Sequence, residues 1–272
     1  MPTEVNGIAA TPRLAATVML LRDSDAGLEV LLLERHLRSD VHGGVHVFPG
    51  GKVDLDDEPA ALARFGDGAP LQPGFASTDV SSALAAILYT AALRELREEC
   101  GVCIEDTTVM HPHSRWITPT LSTSIKRFDT WFFVAVLPEG AIARHDDHEV
   151  VGTVWLRPRD AIGLFRDRTI QLAPPQIMSL VSLSQYPSAL LALNAARSSR
   201  PPLVQPEHVG REAQRMIAFP GEGLHSVASV AIAGPTRLVF RKDRYEPEDG
   251  FDTLWSNQLD MTIREEVVRR CA

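Results

Sequence analysis

Three carboxylates in the segment Arg94-Glu-Leu-Arg-Glu-Glu-Cys-Gly-Val102 are spaced for metal chemistry. Glu95, Glu98 and Glu99 stand at i, i+3 and i+4, which puts them on one face of a helix. Carboxylates crowded in this way repel one another unless a cation sits among them. Hard oxygen donors suit Mg2+, with Mn2+ as the alternative. Arg94 lies four residues before Glu98, so it can pair with that carboxylate and fix its rotamer. Leu93, Leu96 and Cys100 fall on a different face and can pack inward. Taken alone, the same spacing also fits a solvated helix face laced with salt bridges.

Upstream, Val47-Phe-Pro-Gly-Gly-Lys-Val-Asp54 places two glycines directly after a strand-like run. Glycines there let the backbone turn sharply and approach a ligand closely. Phe48–Asp54 together with Ala91–Val102 resembles the Nudix box. That pattern is Gly, five residues, Glu, seven residues, then Arg-Glu-U-X-Glu-Glu-X-Gly-U, with U aliphatic. Gly51 takes the first glycine, and Arg94, Glu95, Leu96, Glu98, Glu99, Gly101 and Val102 match the second half. Arg94 stands 43 positions after Gly51 where the pattern has 14, so 29 residues are inserted. The glutamate expected six positions after the glycine is Asp57 here, with Glu58 beside it, and the sequence leaves open which takes that place. The interrupted box resembles a subgroup that includes the mammalian peroxisomal coenzyme A diphosphatases. Further features of that subgroup are Arg115-Trp-Ile-Thr-Pro119, Arg127-Phe-Asp-Thr130, Glu149 six residues before Trp155, and Leu172-Ala-Pro-Pro-Gln176. Its coenzyme A signature is half kept. Leu31, Leu32, Arg35 and Gly44 fit, whereas His36 and Asp40 stand where a small residue and an Arg are expected.

The resemblance implies an α/β fold, a Nudix-type α/β/α sandwich with a mixed sheet. It implies Mg2+-dependent hydrolysis of a diphosphate linkage in a nucleoside diphosphate derivative, coenzyme A or acyl-coenzyme A being one candidate. Glu95, Glu98 and Glu99 would hold the metal with a backbone carbonyl near Gly51. Arg94 and Glu98 are then placed in the catalytic group. Glu149, in the acidic loop His145-Asp-Asp-His-Glu149, is the candidate for a further metal ligand or general base. Arg35, Arg115 and Arg127 are candidates for substrate phosphates, because a guanidinium pairs with them bidentately. Trp116 and Phe128 could stack on a base or simply pack in the core. ADP-ribose or another nucleotide is the alternative substrate. A non-catalytic nucleotide sensor is the alternative from another class, disfavoured because all three box carboxylates are kept.

The elements that must position these residues can be read in outline. Ala15–Arg22 and Leu28–Glu34 read as strands joined by the turn Asp23–Gly27, a hairpin. Val45–Phe48 is a third strand, stopped by Pro49-Gly-Gly51. Residues 55–80 form an inserted loop with a short helix at Pro59–Phe65. Ser81–Cys100 is helical, with Ser81 or Ser82 as N-cap and Gly101 beyond its end. Its expected buried stripe is Leu84, Ile87, Leu88, Ala91, Ala92 and Leu96. Strands follow at Thr107–Trp116, Thr130–Leu137 and Val150–Leu156, then a helix at Pro158–Phe165. Residues 1–165 make the hydrolase domain. Residues 166–272 make a mainly helical extension, with helices at Pro174–Gln185 and Ser188–Ala196, short strands at Arg215–Phe219 and Arg237–Arg241, and a last helix near Thr262–Arg270.

The chain's 27 Lys plus Arg against 35 Asp plus Glu leave a net charge of −8, unsuited to general nucleic-acid binding but compatible with a small anionic substrate bridged by a cation. Three cysteines, no secretory pattern and no apolar run of about 20 residues point to a cytoplasmic protein that binds no membrane. A homodimer is compatible with this reading. Cys100 and Cys103 have C-x-x-C spacing without a second pair, and the histidines show no metal-ligand spacing, so neither is assigned chemistry.

Overall fold

The computed structural model describes residues 10–35, 45–66, 73–120, 126–144, 150–210, 215–229 and 232–255. Strands β1 (Arg13–Ser24) and β2 (Gly27–Arg35) form the expected hairpin, with Leu21 opposite Val30 and Ser24 opposite Gly27. Two short strands, β3 (His46–Val47) and β4 (Gly50–Lys52), flank Pro49. Strands β5 (Met110–Ile117), β6 (Phe128–Val136) and β7 (Val150–Leu156) complete the first part, and β8 (Leu203–Val204) joins from the C-terminal part. Together they make an eight-stranded sheet ordered β3-β2-β1-β6-β5-β8, with β4 also on β1 and β7 also on β2. The β1–β6 and β5–β8 pairs are parallel and the others antiparallel, so the sheet is mixed.

Burial explains why β1 reads as an unbroken apolar run: Ala15 to Leu21 are all buried because both faces of the sheet are covered. One face, with Ala16, Val18, Leu20, Leu31 and Phe133, packs on helix α3 (Ser82–Cys100). The other, with Met19, Leu21, Leu32 and Phe132, packs on α4 (Pro158–Arg166), α5 (Pro174–Leu183) and α6 (Ala189–Ser198). This is the α/β/α sandwich expected from the sequence.

Helix α3 starts and stops as its sequence dictates. Ser81 Oγ accepts the Leu84 N–H at 3.2 Å, and Gly101, in the left-handed region at φ 68°, gives its N–H to the Arg97 carbonyl at 2.9 Å. Leu88, Ala91, Ala92 and Leu96 are buried as expected, whereas Leu84 and Ile87 are half-buried and Ala85 and Tyr89 take the inner positions. Ile87 instead meets the inserted segment, which contributes α1 (Asp57–Phe65) and a single turn, α2 (Pro73–Ala76). Phe75 of α2 is fully buried among Tyr89, Trp131 and Phe133. The insertion is therefore partly core, not only a surface loop.

The chain also does not leave the sheet at Pro49-Gly-Gly51. The Pro49 carbonyl accepts from Val18 N–H at 2.8 Å and Thr17 Oγ1 at 2.9 Å, which holds β4 against β1. The C-terminal part has strands as well as helices. A four-stranded antiparallel sheet, ordered β12-β11-β10-β9, comprises β9 (Glu207–Val209), β10 (Met216–Ala218), β11 (Arg237–Arg241) and β12 (Arg244–Pro247). Ile217 and Leu238 share one core with Met19, Leu21 and Phe165. Buried Arg244 gives its guanidinium to the carbonyls of Phe165 and Arg166 and stacks on the Phe165 ring. The expected helix near Thr262–Arg270 lies outside the described residues. Among the described residues no helix is long and apolar enough to cross a membrane.

Candidate active site

Helix α3 and β4 meet at the three glutamates. Arg94 organises them: its Nη1 donates to Glu95 Oε1 at 2.8 Å and to Glu98 Oε2 at 3.1 Å. Its Nε and Nη2 donate to the Asp57 carboxylate at 2.9 and 3.0 Å, and Nη2 reaches the Lys52 carbonyl at 3.1 Å. Asp57 is 1% exposed and also accepts the Asp54 N–H at 2.8 Å. The hydrogen bonds that Arg94 donates to Asp57 first, and to Glu95 after it, hold its guanidinium above its ordinary pKa. Of the two acidic residues the sequence leaves open, Asp57 is the one engaged with Arg94, while Glu58 is exposed. Residue type and place in α1 decide this: Asp57 opens the helix and turns inward, and Glu58 turns to solvent.

Glu99 is buried at 6% exposure, and its Oε2 accepts the Gly50 N–H at 2.8 Å. Gly50 has no room for a side chain, and one on Gly51 would have to displace the Glu95 carboxylate. A Cβ on Gly50 would lie 2.5 Å from the Ala16 carbonyl oxygen, and one on Gly51 would lie 2.6 Å from Glu95 Cδ. The glycines thus serve close approach between β4, β1 and α3. Glu98 keeps its side chain half exposed. Lys52 is ion-paired with Asp54, which lowers the Asp54 pKa.

These groups line a cleft of about 930 Å3 that also takes in Arg35, Trp116, Phe128, Gln176, His208, Arg215 and Tyr245. Its far wall is built by the C-terminal sheet. Arg215 lies 4.5 Å over the Phe240 ring, and burial first, with Arg215 second, lowers the His208 pKa. Phe128 is half-buried and presents to the cleft. Trp116 is 5% exposed, packed on Phe132 and Phe219, with Nε1 donating to Ser114 Oγ at 3.2 Å, so most of its ring belongs to the core.

Two of the expected phosphate-binding arginines are not brought to this cleft. Arg115 follows β-strand alternation away from Trp116. It forms a bidentate pair with Asp129 at 2.8 and 2.6 Å and lines a separate depression with Trp131. Arg127 is 9% exposed, and its guanidinium donates to the Thr118 carbonyl and to the Ala10 carbonyl at 2.8 Å. It straps the chain's early residues to the end of β5. Glu149 lies outside the described residues. Asp57 is legible as the residue six after Gly51, and Gln176 as part of Leu172-Ala-Pro-Pro-Gln176. His208, Arg215 and Tyr245 carry no sequence signal, since only the packing of the second sheet brings them to the cleft.

A hard divalent cation matches the donors present. Two carboxylate oxygens already converge on one cationic nitrogen, Arg94 Nη1, and the buried Glu99 carboxylate adjoins the same strand. No three His, Cys, Asp or Glu side chains among the described residues stand grouped as a ready metal site. Cys100 is buried and Cys103 is exposed.

Comparison with known proteins agrees with this geometry. Residues 95–183 match the family model described as the NUDT19 Nudix domain, a stretch that begins at Glu95 and ends in α5. The human acyl-coenzyme A diphosphatase NUDT19 is 37% identical over 86 residues, which is 32% of this chain and 23% of that protein. The Gallus gallus acyl-coenzyme A diphosphatase NUDT19 is 25% identical over 234 residues, 59% of this chain and 62% of that protein. The chain thus matches less than two thirds of the length of these relatives. A Nudix hydrolase of Alicyclobacillus acidocaldarius superimposes with a TM-score of 0.57 at 24% identity, covering 71% of this chain and 98% of that one. The Nudix resemblance and the Nudix-type fold read from the sequence are borne out.

Proposed function

We propose that this chain is a Nudix hydrolase that cleaves the diphosphate linkage of a nucleoside diphosphate derivative, with coenzyme A or its acyl thioesters as the favoured substrates. The observation that carries this reading is the convergence of Glu95, Glu98 and Glu99 with Gly50–Gly51 and Arg94 on one large cleft. The relatives named acyl-coenzyme A diphosphatase support the choice of substrate.

Glu95, Glu98 and Glu99, with a carbonyl near Gly51, would hold Mg2+ or Mn2+. When bound, such an ion neutralises charge on the diphosphate oxygens and activates a water. The chain's own residues do the positioning. The Asp57–Arg94 pair fixes the carboxylate face of α3, and Gly50 N–H holds the Glu99 carboxylate in place. Arg35 and Lys52 bring positive charge to the cleft for the anionic substrate, and Phe128 offers a ring for a base. Displacement at phosphorus depends mainly on such positioning and charge stabilisation. Glu149 is assigned as a further metal ligand or general base. The division into a hydrolase domain, residues 1–165, and an extension, residues 166–272, fits a cleft to which the extension contributes Gln176, His208, Arg215 and Tyr245.

The test is a panel of coenzyme A, acyl-coenzyme A, ADP-ribose, NADH and nucleoside triphosphates with Mg2+, products identified by mass. The expected products are 3′,5′-ADP and phosphopantetheine or its acylated form. Turnover of another member with none of coenzyme A would overturn the substrate assignment and keep the chemistry. No turnover in the whole panel, with or without Mn2+, would sink the hydrolase reading.

A further inference from the structure

We propose that Gln176 is a specificity-determining residue: its side-chain amide and the start of α5 bind a phosphate oxygen of the substrate. The proposal rests on reading the cleft as a diphosphate-binding site, and it assigns an uncharged recognition element to it.

Three observations carry it. First, α5 begins with no side-chain cap. Its N-cap is Ala173, and its first two residues are Pro174 and Pro175, which have no N–H to give. Gln176 is therefore the first residue of the helix with a free backbone donor, and that N–H has no partner among the described residues. Second, Gln176 is 9% exposed as a residue, and its side-chain amide opens on the cleft without a hydrogen bond among the described residues. Buried polar groups are normally paired, and one left open on a cleft wall is set up for a ligand. Third, Gln176 lines the same cleft as Glu95, Glu98 and Glu99. Its position is tied to that site through the chain: His46 N–H donates to the Gln171 carbonyl at 2.8 Å, joining the approach to α5 with β3, which leads into Gly50–Gly51.

The chemistry favours an anionic oxygen. A helix start carries positive potential, and a backbone N–H beside an amide NH2 group offers several donors from one residue. The amide also has an acceptor oxygen, so a purine edge is the competing ligand. The helix dipole and the backbone donor present only positive potential and discriminate for the anion.

The full chain, as wild type, Gln176→Ala and Gln176→Glu, is titrated in EDTA with pyrophosphate and separately with adenosine, by calorimetry. Pyrophosphate Kd is expected to rise about tenfold in Gln176→Ala, the loss of a hydrogen bond to a charged acceptor, and further in Gln176→Glu, which sets like charge against it. Adenosine binding and thermal midpoints stay at wild-type values. If Gln176→Ala does not fold, the isosteric Gln176→Glu carries the test. Unchanged pyrophosphate affinity in the variants overturns the proposal, as does a wild type that binds no pyrophosphate. A selective loss of adenosine binding overturns it in favour of a base edge. The proposed reaction is judged separately: the pyrophosphate pattern without hydrolysis of any panel member leaves the anion site standing and removes the hydrolase reading.

Discussion

Arg94 gives two nitrogens to the carboxylate of Asp57, 37 residues earlier, while its third reaches Glu95 and Glu98 one turn along its own helix. The inserted segment lies between these two partners in sequence, and the ion pair closes it. Loop closure costs little more for a long insertion than for a short one, so a single well-made pair can hold the two halves together. Asp57→Ala would leave the Arg94 charge partly buried beside fewer partners, a loss of about 3 kcal/mol. Glu58→Ala, at an exposed position, should change stability by less than about 0.5 kcal/mol. Denaturant unfolding of the two variants decides between them, and equal losses would mean that Asp57 does not hold the segment.

The two glycines should fail differently. Gly50→Ala drives a Cβ to 2.5 Å from the Ala16 carbonyl and 2.6 Å from Thr17 Cα, backbone that cannot yield without moving β1. Gly51→Ala meets the Glu95 carboxylate, the end of a side chain that can turn away. Gly50→Ala is thus expected to cost about 2 kcal/mol or more of stability, in the manner of an overpacked core. Gly51→Ala is expected to keep most of its stability and lose turnover. A Gly51→Ala protein with full activity would show that the Glu95 position is unimportant.

Glu98 is the carboxylate most open to solvent of the three, its side chain half exposed. Glu98→Gln therefore leaves packing intact while removing a charge from the proposed metal face. Turnover is expected to fall about a hundredfold or more, with an unchanged thermal midpoint. The drop should not be recovered by raising substrate. Turnover close to wild type, measured on whichever panel member the native chain hydrolyses, would remove Glu98 from the site.

Local rules make much of this fold legible in the amino-acid sequence. The caps of α3, the i, i+3, i+4 carboxylates and the hairpin at Asp23–Gly27 are short-range features, and each stands where its residues place it. Continuous apolar runs such as Ala15–Leu21 mark the strands without saying which neighbours they take. Other features need the third dimension. Pro49-Gly-Gly51 reads as a stop, but a carbonyl accepting from both Val18 and Thr17 keeps the chain in the sheet. Trp116 and Arg115 are adjacent in sequence, but a strand sends adjacent side chains to opposite faces, and of this pair only Trp116 reaches the cleft. The wall made by His208, Arg215 and Tyr245 arises from packing one sheet against another, which no local pattern encodes.

That alternation gives its own test. Arg115 pairs with Asp129 and lies 5.5 Å over Trp131, in a depression separate from the carboxylate cleft. Arg115→Ala should lower stability by about 2 kcal/mol, since Asp129 is left nearly buried without its partner. KM and kcat should stay within about twofold, the range of surface changes away from a site. A tenfold rise in KM with stability unchanged would return Arg115 to the phosphate-binding group.

Stability should also depend on pH through one buried histidine. His111 on β5 is 1% exposed, and burial first, with the Arg197 charge second, pushes its pKa down to about 4 from the ordinary 6.5. Between those two values the unfolded chain takes up a proton that the folded one refuses. Stability therefore rises with pH across this window: it is fully present above pH 6.5, falls on acidification, and levels out near pH 4 where the folded form also protonates. At pH 5 the deficit from this one group is on the order of 2 kcal/mol. His111→Gln removes the titration while keeping a polar side chain. Its unfolding free energy should change between pH 7 and pH 5 by about 2 kcal/mol less than that of the wild type, whatever its absolute stability. Parallel pH profiles for the two proteins would mean that His111 titrates normally and that β5 tolerates its charge.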